Sequence, residues 1–290
     1  MPDAITAVTG LEVTGAVRVV AQRPWPGSAL AVAPSGEWVA VALPGRVVTA
    51  RLPDLSDERE IHVADVRSIA AISDDRLALA PHRGVLVIED PVGAPRVAVR
   101  ARGAGRVQVV AGPGGLFAAV GERAALPRAT VVTRADLGRR RGWTAGIAGA
   151  TAAAWLDDRD LAVAAGEDLV LVRDGTEEAR AMSPLGERIT ALAAVPGGVV
   201  IAGVGSHAVL HAIGPRAARP RIEVLPGGGR TLHAADGWLA VGTRSLGERV
   251  QVHDLATDTV MCELRGVASA VVAPPCVVAT GREGTVVVAA

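Results

Sequence analysis

The strongest constraint on the fold is a pattern of short apolar strands that recurs along nearly all of the 290 residues. Each copy has one apolar strand, a turn rich in Gly, Pro or Asp, and a second strand that ends in small residues. The spacing between copies is roughly 40 residues, a period typical of repeat architectures. Seven copies occur, and they begin at Ala29, Ser68, Val107, Thr151, Thr190, Thr231 and Ser269.

Two further strands complete the repeat. A third apolar strand follows every copy, and a more polar fourth strand follows six of them. The stretch RVQVHDLATDTVMCELRG, residues 249–266, contains the third and fourth strands of the sixth copy. Four short strands per period predict an all-β fold, a seven-bladed β-propeller with four antiparallel strands per blade, as a single domain over residues 1–290.

The two ends of the chain are predicted to close this ring. The last copy ends with its third strand, at residues 285–290, and lacks a fourth. The apolar stretch AVRVVAQ, residues 16–22, precedes the first copy and can supply the missing strand, which would protect an open sheet edge. Residues 1–12 are then an N-terminal extension that either lengthens this strand or forms a loose arm.

The copies resemble the blades of the WD-repeat propeller family. VHDLATDTVMCELRG, residues 252–266, is similar to the end of such a blade, and ALAVAPSGEWVAVA, residues 29–42, is similar to its first two strands. In place of the family's Trp-Asp pair, the sixth copy has His253-Asp254 and the fourth has Val172-Arg173. The resemblance implies a scaffold without catalytic residues that docks other proteins on its faces and rim, although a fold alone does not assign a function.

Composition narrows the classes of protein further. The chain has no formal net charge, which argues against general adhesion to nucleic acid or membranes. It contains no Lys, Asn or Tyr, so lysine Schiff bases, P-loop lysines and tyrosine acids are excluded, and a GC-rich bacterial genome is indicated. With no secretory signal, no long apolar run and only Cys262 and Cys276, the sequence predicts a cytoplasmic protein with buried thiols.

No pattern in the sequence indicates catalysis or a bound metal or cofactor. His207 and His211 are four residues apart, but on a strand this spacing separates them by about 13 Å. The glycine runs are followed by no helix and so lack the geometry of a phosphate cradle. The acidic run at residues 157–160 lacks the glycine and closing glutamate of a calcium loop. We therefore expect a non-enzymatic protein.

Charge placement suggests a docking face. We define the top end of the ring by the loops between second and third strands and between blades, and the bottom end by the remaining loops. Arginines dominate the predicted top loops, whereas acidic residues dominate the bottom turns; the alternative interpretation is ordinary solvated loop charge. Arginine pairs well with carboxylates and is enriched at interfaces, and an exposed tryptophan can anchor them. The predicted partner-binding residues are Trp25, Arg46, Arg83, Arg123, Arg188, Arg230, Arg244 and Arg282.

Three functional hypotheses follow. The first is a protein-interaction scaffold or adaptor in a bacterial multi-protein assembly, with a partner that has an acidic surface. The second is a propeller enzyme or a protein that binds a small ligand or sugar in the central pocket. The third is nucleic-acid binding through the top arginines, which ranks last because the stacking aromatics are scarce. No membrane partner is expected, and the oligomeric state is left open.

Overall fold

The structure, a computed structural model, describes most of the chain. The described residues are 6–8, 10–82, 84–101, 107–123, 126–136, 143–196, 198–203, 206–211, 222–226, 229, 231–243, 248–257 and 259–290. Within these ranges only the backbone is described at 6–8, 99–101, 122–136, 206–211 and 222–226.

The strands follow the predicted order. The N-terminal strands are β1 (Thr6–Val8), β2 (Leu11–Gly15) and β3 (Arg18–Arg23). The first sheet contains β4 (Ala29–Val32), β5 (Trp38–Leu43), β6 (Arg46–Arg51) and β7 (Ser56–Ile61). The second contains β8 (Ser68–Ser73), β9 (Arg76–Ala80), β10 (Val85–Glu89) and β11 (Arg96–Ala101). The third contains β12 (Val107–Ala111), a 3₁₀ turn (Pro113–Gly115), β13 (Leu116–Arg123), β14 (Leu126–Asp136) and β15 (Trp143–Gly146).

The second half of the chain continues the series. The fourth sheet contains β16 (Ala150–Trp155), β17 (Asp160–Ala165), β18 (Asp168–Arg173) and β19 (Thr176–Met182). The fifth contains β20 (Ala191–Val195), β21 (Gly198–Ala202), β22 (Ser206–His211) and β23 (Ile222–Pro226). The sixth is built on β24 (Thr231–Ala235), β25 (Trp238–Thr243), β26 (Arg249–Asp254) and β27 (Thr259–Arg265). The last is built on β28 (Ser269–Ala273), β29 (Cys276–Thr280) and β30 (Thr285–Ala289).

The sheets form a closed ring, because each innermost strand contacts the next and the last contacts the first. The order of these contacts is β4, β8, β12, β16, β20, β24, β28 and back to β4. Five sheets (the first, second, fourth, sixth and last) have described side chains on all four strands of the repeat, whereas parts of the third and fifth are described by backbone pairing alone. The chain is therefore an all-β propeller.

The predicted uniform ring of seven four-stranded blades is wrong. Six of the sheets have four strands, but the sheet of the sixth repeat has six, in the order β1-β2-β27-β26-β25-β24. Within the stretch assigned to an extension or a loose arm, residues 1–12, residues 6–8 and 11–12 therefore belong to this sheet. The reason is the alternation in β2: Leu11 and Val13 are buried in a cluster with Cys262 and Leu264, while Glu12 points to solvent.

Closure of the ring follows the prediction closely. Strand β3 pairs antiparallel with β30 and completes the last sheet, in a register that joins Arg23 to Thr285. A bulge between Val19 and Ala21 interrupts this pairing. The N-terminal segment thus connects two neighbouring sheets, because β2 pairs with the outer strand of the sixth sheet and β3 pairs with the last sheet.

Burial explains why the strands differ in composition. Strand β5 is buried at every residue, because both faces of its sheet pack against neighbouring sheets. The outermost strand β7 is exposed at four of six positions and carries the polar sequence SDEREI. Trp38 and Phe117 are buried between sheets, whereas Trp238 is partly exposed.

Candidate docking surfaces and the central channel

The described top end carries both signs of charge. Arg46, Arg188 and Arg282 are exposed there, and 88% of the Arg282 side chain is accessible. The Arg46 guanidinium lies 3.3 Å from a Glu60 carboxylate oxygen, and Arg282 lies 4.0 Å from Glu248. Exposed pairs of this kind are worth about 0–1 kcal/mol, so both arginines can exchange their partners.

Acidic residues on the same loops reduce the predicted arginine excess. Asp65, Glu167 and Glu283 are exposed at this end. Of the predicted partner-binding residues, Arg123 is described by its backbone alone, at the end of β13. Arg83, Arg230 and Arg244 lie outside the described residues, so the arginine excess at the top end stays a prediction.

Trp25 does not form an exposed anchor, and this part of the prediction is wrong. Only 7% of the residue is accessible, and the side chain packs in the hydrophobic cluster between the first and last sheets. The Trp25 carbonyl also accepts hydrogen bonds from Thr285 Oγ1 at 2.9 Å and Thr280 Oγ1 at 3.3 Å. The alternative, a residue packed against the neighbouring blade, describes Trp25 correctly.

The bottom end is acidic where it is described. Asp54, Asp74, Asp157 and Asp236 are exposed in turns at this end. Some of its acidic side chains form ion pairs with arginine. Arg173 donates two hydrogen bonds to the Asp160 carboxylate, and this pairing raises the pKa of Arg173 above its ordinary value. The acidic lean of the bottom turns is thus present among the described residues, with local compensation by arginine.

The innermost strands surround a central channel. Its cavity has a volume of about 420 Å³ and is lined mainly by apolar residues. The polar residues of the lining are Ser28, Arg67, Ser68, Gln108, Thr190, Thr231, His233 and Ser269. Within the described residues, no group of three or more His, Cys, Asp or Glu could hold a metal ion. Likewise, no helix of the described chain is long and apolar enough to cross a membrane.

His233 joins two sheets in the channel wall. Its Nδ1 accepts a hydrogen bond of 3.2 Å from the Val272 backbone N–H, so the imidazole is neutral and carries its proton on Nε2. Part of the ring faces the channel, but the surrounding sheets enclose it, and this burial lowers the pKa of His233 from 6.5 to about 4.

This pKa shift predicts a loss of stability in mild acid. As the pH falls below 6.5, His233 takes up a proton in the unfolded chain but stays neutral in the folded protein. The free energy of unfolding is therefore not reduced by His233 above pH 6.5, and it decreases as the pH falls towards 4. The decline approaches about 1.4 kcal/mol per pH unit within that window. Urea unfolding at pH 7.5, 5.5 and 4.5 measures it.

The matched control for this prediction is His233→Asn, whose side-chain oxygen can accept from Val272 but cannot titrate. We expect its stability to change less between pH 7.5 and 4.5 than that of the wild type. Equal losses in the two proteins would show that another group causes the acid sensitivity.

The two cysteines are buried and free, as predicted from their scarcity. Burial raises the pKa of Cys262 to about 11, and it also raises the pKa of Cys276. Both thiols are therefore poor nucleophiles at neutral pH, because the reactive species is the thiolate.

Comparison with known proteins gives the fold. No protein-family model matches the chain, and no curated protein matches it. Among solved structures, the β-propeller domain of Cps50 (Swd1) from Myceliophteria thermophila matches with a TM-score of 0.71 and 11% identity, over 94% of this chain and 98% of that one. The computationally designed protein Ika8 matches with a TM-score of 0.65 and 13% identity, over 93% and 99% of the two chains. At these identities the likeness shows a β-propeller fold, while membership of the WD-repeat family stays a prediction.

Proposed function

We propose that this propeller is a non-enzymatic scaffold or adaptor that docks another protein on its top end. The observation that carries the proposal is a set of exposed guanidinium groups, those of Arg46, Arg188 and Arg282, on loops held by a closed ring. Sites on a rigid scaffold lose little conformational entropy when they bind. The partner is a protein with an acidic surface, in a multi-protein assembly of the bacterial cytoplasm, and neither nucleic acid nor a membrane is required.

Arginine suits this role for a physical reason. Its planar guanidinium can donate two parallel hydrogen bonds to one carboxylate, which adds orientation as well as energy. The ion pairs of Arg46 with Glu60 and of Arg282 with Glu248 are weak, so both arginine side chains can leave these carboxylates and bind those of a partner. An acidic partner would replace these intramolecular carboxylates with its own.

A charge-reversal experiment tests the proposal. The double variant Arg188→Glu/Arg282→Glu is compared with Arg18→Glu/Arg96→Glu, which makes the same charge change at exposed positions of outer strands. Each protein is immobilised and incubated with extract of the source cells, and retained proteins are quantified and cross-linked. We expect one partner to bind the wild type and the outer-strand variant, to bind the top-end variant at least tenfold less, and to cross-link at residues 183–190 and 281–284.

The same experiment can contradict the proposal. Equal capture by the two double variants would exclude the top end as the docking face. A wild-type protein that retains no specific partner would argue against a scaffold role.

A small ligand in the central channel is the second candidate. Its volume of about 420 Å³ falls within the range of roughly 300–1,000 Å³ usual for ligand pockets, and Gln108, Thr231 and His233 offer polar groups. A panel of mono- and disaccharides that raises the unfolding temperature of the wild type, but not that of Gln108→Leu, would favour this function. An unchanged unfolding temperature across the panel would count against it.

A further inference from the structure

One register position in the repeat carries a side chain in six sheets and none in the fifth. It is the first residue of the second strand, immediately after the first turn of each sheet. Because equivalent positions in a repeat face equivalent surroundings, a missing side chain there leaves space. The residues at this position are Trp38, Arg76, Leu116, Asp160, Gly198, Trp238 and Cys276.

Trp38 shows what a large side chain does at this position. It is 2% exposed and packs in a cluster that joins the first and second sheets and includes Ile69 and Leu77. Its indole Nε1 donates a hydrogen bond of 2.7 Å to the backbone carbonyl of Asp74, which opens the first turn of the second sheet. The indole therefore fills the space between its own sheet and the first turn of the next sheet.

A groove lies at the corresponding place between the fifth and sixth sheets. Its volume is about 250 Å³, less than that of most drug-sized pockets and suited to a single side chain. The turn residue that corresponds to Asp74 is Asp236, which directly follows the first strand of the sixth sheet. The main walls of the groove are Leu156, Ala194, Pro196, Asp236, Trp238 and Leu255.

The described surroundings of the groove are acidic. Asp236 is an exposed part of its wall, and the exposed Asp157 and Asp158 directly follow Leu156. The arginine in this turn, Arg159, is already paired with the Asp174 carboxylate. An incoming segment is thus favoured if it carries positive charge beside its apolar residue.

We propose that this groove binds a tryptophan side chain from a partner protein, presented by a segment with basic residues next to it. The indole lies against Leu255 and the small residues of the groove, and its N–H points to the Asp236 carbonyl, as the Trp38 indole does at Asp74. Aromatic side chains that fill such pockets dominate binding energies at protein interfaces. The site lies at the bottom end of the ring and is independent of the docking proposed for the top end.

Three small probes test the proposal by ligand-observed NMR with the full chain. They are N-acetyl-tryptophanamide and the capped tripeptides Arg-Trp-Arg and Glu-Trp-Glu. We expect all three to bind, with the Arg peptide at least threefold tighter than the Glu peptide, and we expect this ratio to fall towards one in 0.5 M salt, where charges are screened within about 5 Å. No detectable binding of the Arg peptide, or equal affinities at low salt, would overturn the proposal.

Variants of the groove locate the binding. Gly198→Trp supplies the missing indole from within the chain and should remove probe binding; Ala234→Leu narrows the same groove and should weaken binding if the tryptophan variant does not fold. Asp236→Asn should reduce the preference for the Arg peptide, whereas Asp74→Asn should not, because Trp38 already fills that site. Undiminished probe binding in the folded groove variants would show that the probes bind elsewhere and would refute the assignment.

The converse variant removes the indole from the equivalent site between the first and second sheets. Trp38→Gly should open a matching groove between the first and second sheets, so indole should raise its unfolding temperature more than that of the wild type. No added effect of indole on folded Trp38→Gly would contradict the equivalence of the two sites.

Discussion

Removal of residues 1–22 is expected to lower the unfolding temperature by at least about 10 °C. The deletion removes the fourth strand of the last sheet, β3, and exposes the edge of β30 that it covers. It also removes β2, whose Leu11 and Val13 are 1% and 3% exposed. Burial of each such side chain contributes about 1.5–3 kcal/mol, before the lost hydrogen bonds of two strands are counted. Thermal unfolding followed by circular dichroism gives the result.

A shorter deletion separates the two contributions. Removal of residues 1–15 takes away the hairpin on the sixth repeat but leaves β3 in place, so we expect a smaller decrease in unfolding temperature and the same self-association as in the wild type. Because an open β30 edge can pair with another chain, the longer deletion should also increase self-association. An unchanged unfolding temperature after removal of residues 1–22 would refute the role of the N-terminal segment in closing the ring.

Trp38→Ala is expected to lower the free energy of unfolding by about 3–5 kcal/mol, a severe loss for a single substitution. The indole is buried between two sheets, and its loss would leave a cavity and an unpaired Asp74 carbonyl. Chemical denaturation should show a lower midpoint with an unchanged slope, because the same surface is exposed on unfolding.

Trp238→Ala is the matched control, since it removes the same side chain from the same register position. Trp238 is partly exposed at the margin of the cluster between the sixth and last sheets, so its removal should cost less than half as much. Equal losses for the two variants would contradict this difference in packing.

The repeat made much of the architecture predictable. Period, turns and apolar strands located the innermost strands, and the missing fourth strand of the last repeat pointed to residues 16–22, close to the observed β3. The hairpin of residues 6–15 was missed because residues 16–22 already completed a ring in which every sheet has four strands. The signal was nevertheless present in LEVTG, residues 11–15, where apolar and other residues alternate as in a half-buried strand.

The sites were harder to predict, because they depend on which side chains neighbouring sheets cover. Trp25 lies between two prolines in a loop, a pattern that suggests exposure. In the structure its indole is buried, and its carbonyl accepts hydrogen bonds from two threonines of the last sheet. Gly198 lies in a run that suggests only a tight turn. Alignment of the copies would have shown that it replaces a side chain present in the others.

The most direct test of the scaffold function is hydrogen–deuterium exchange of the propeller with and without its captured partner. We predict slower exchange in the top-end loops at residues 183–190 and 281–284, with the outer strand β11 unchanged. Protection confined to β11 and other outer strands, with the top-end loops unchanged, would contradict it.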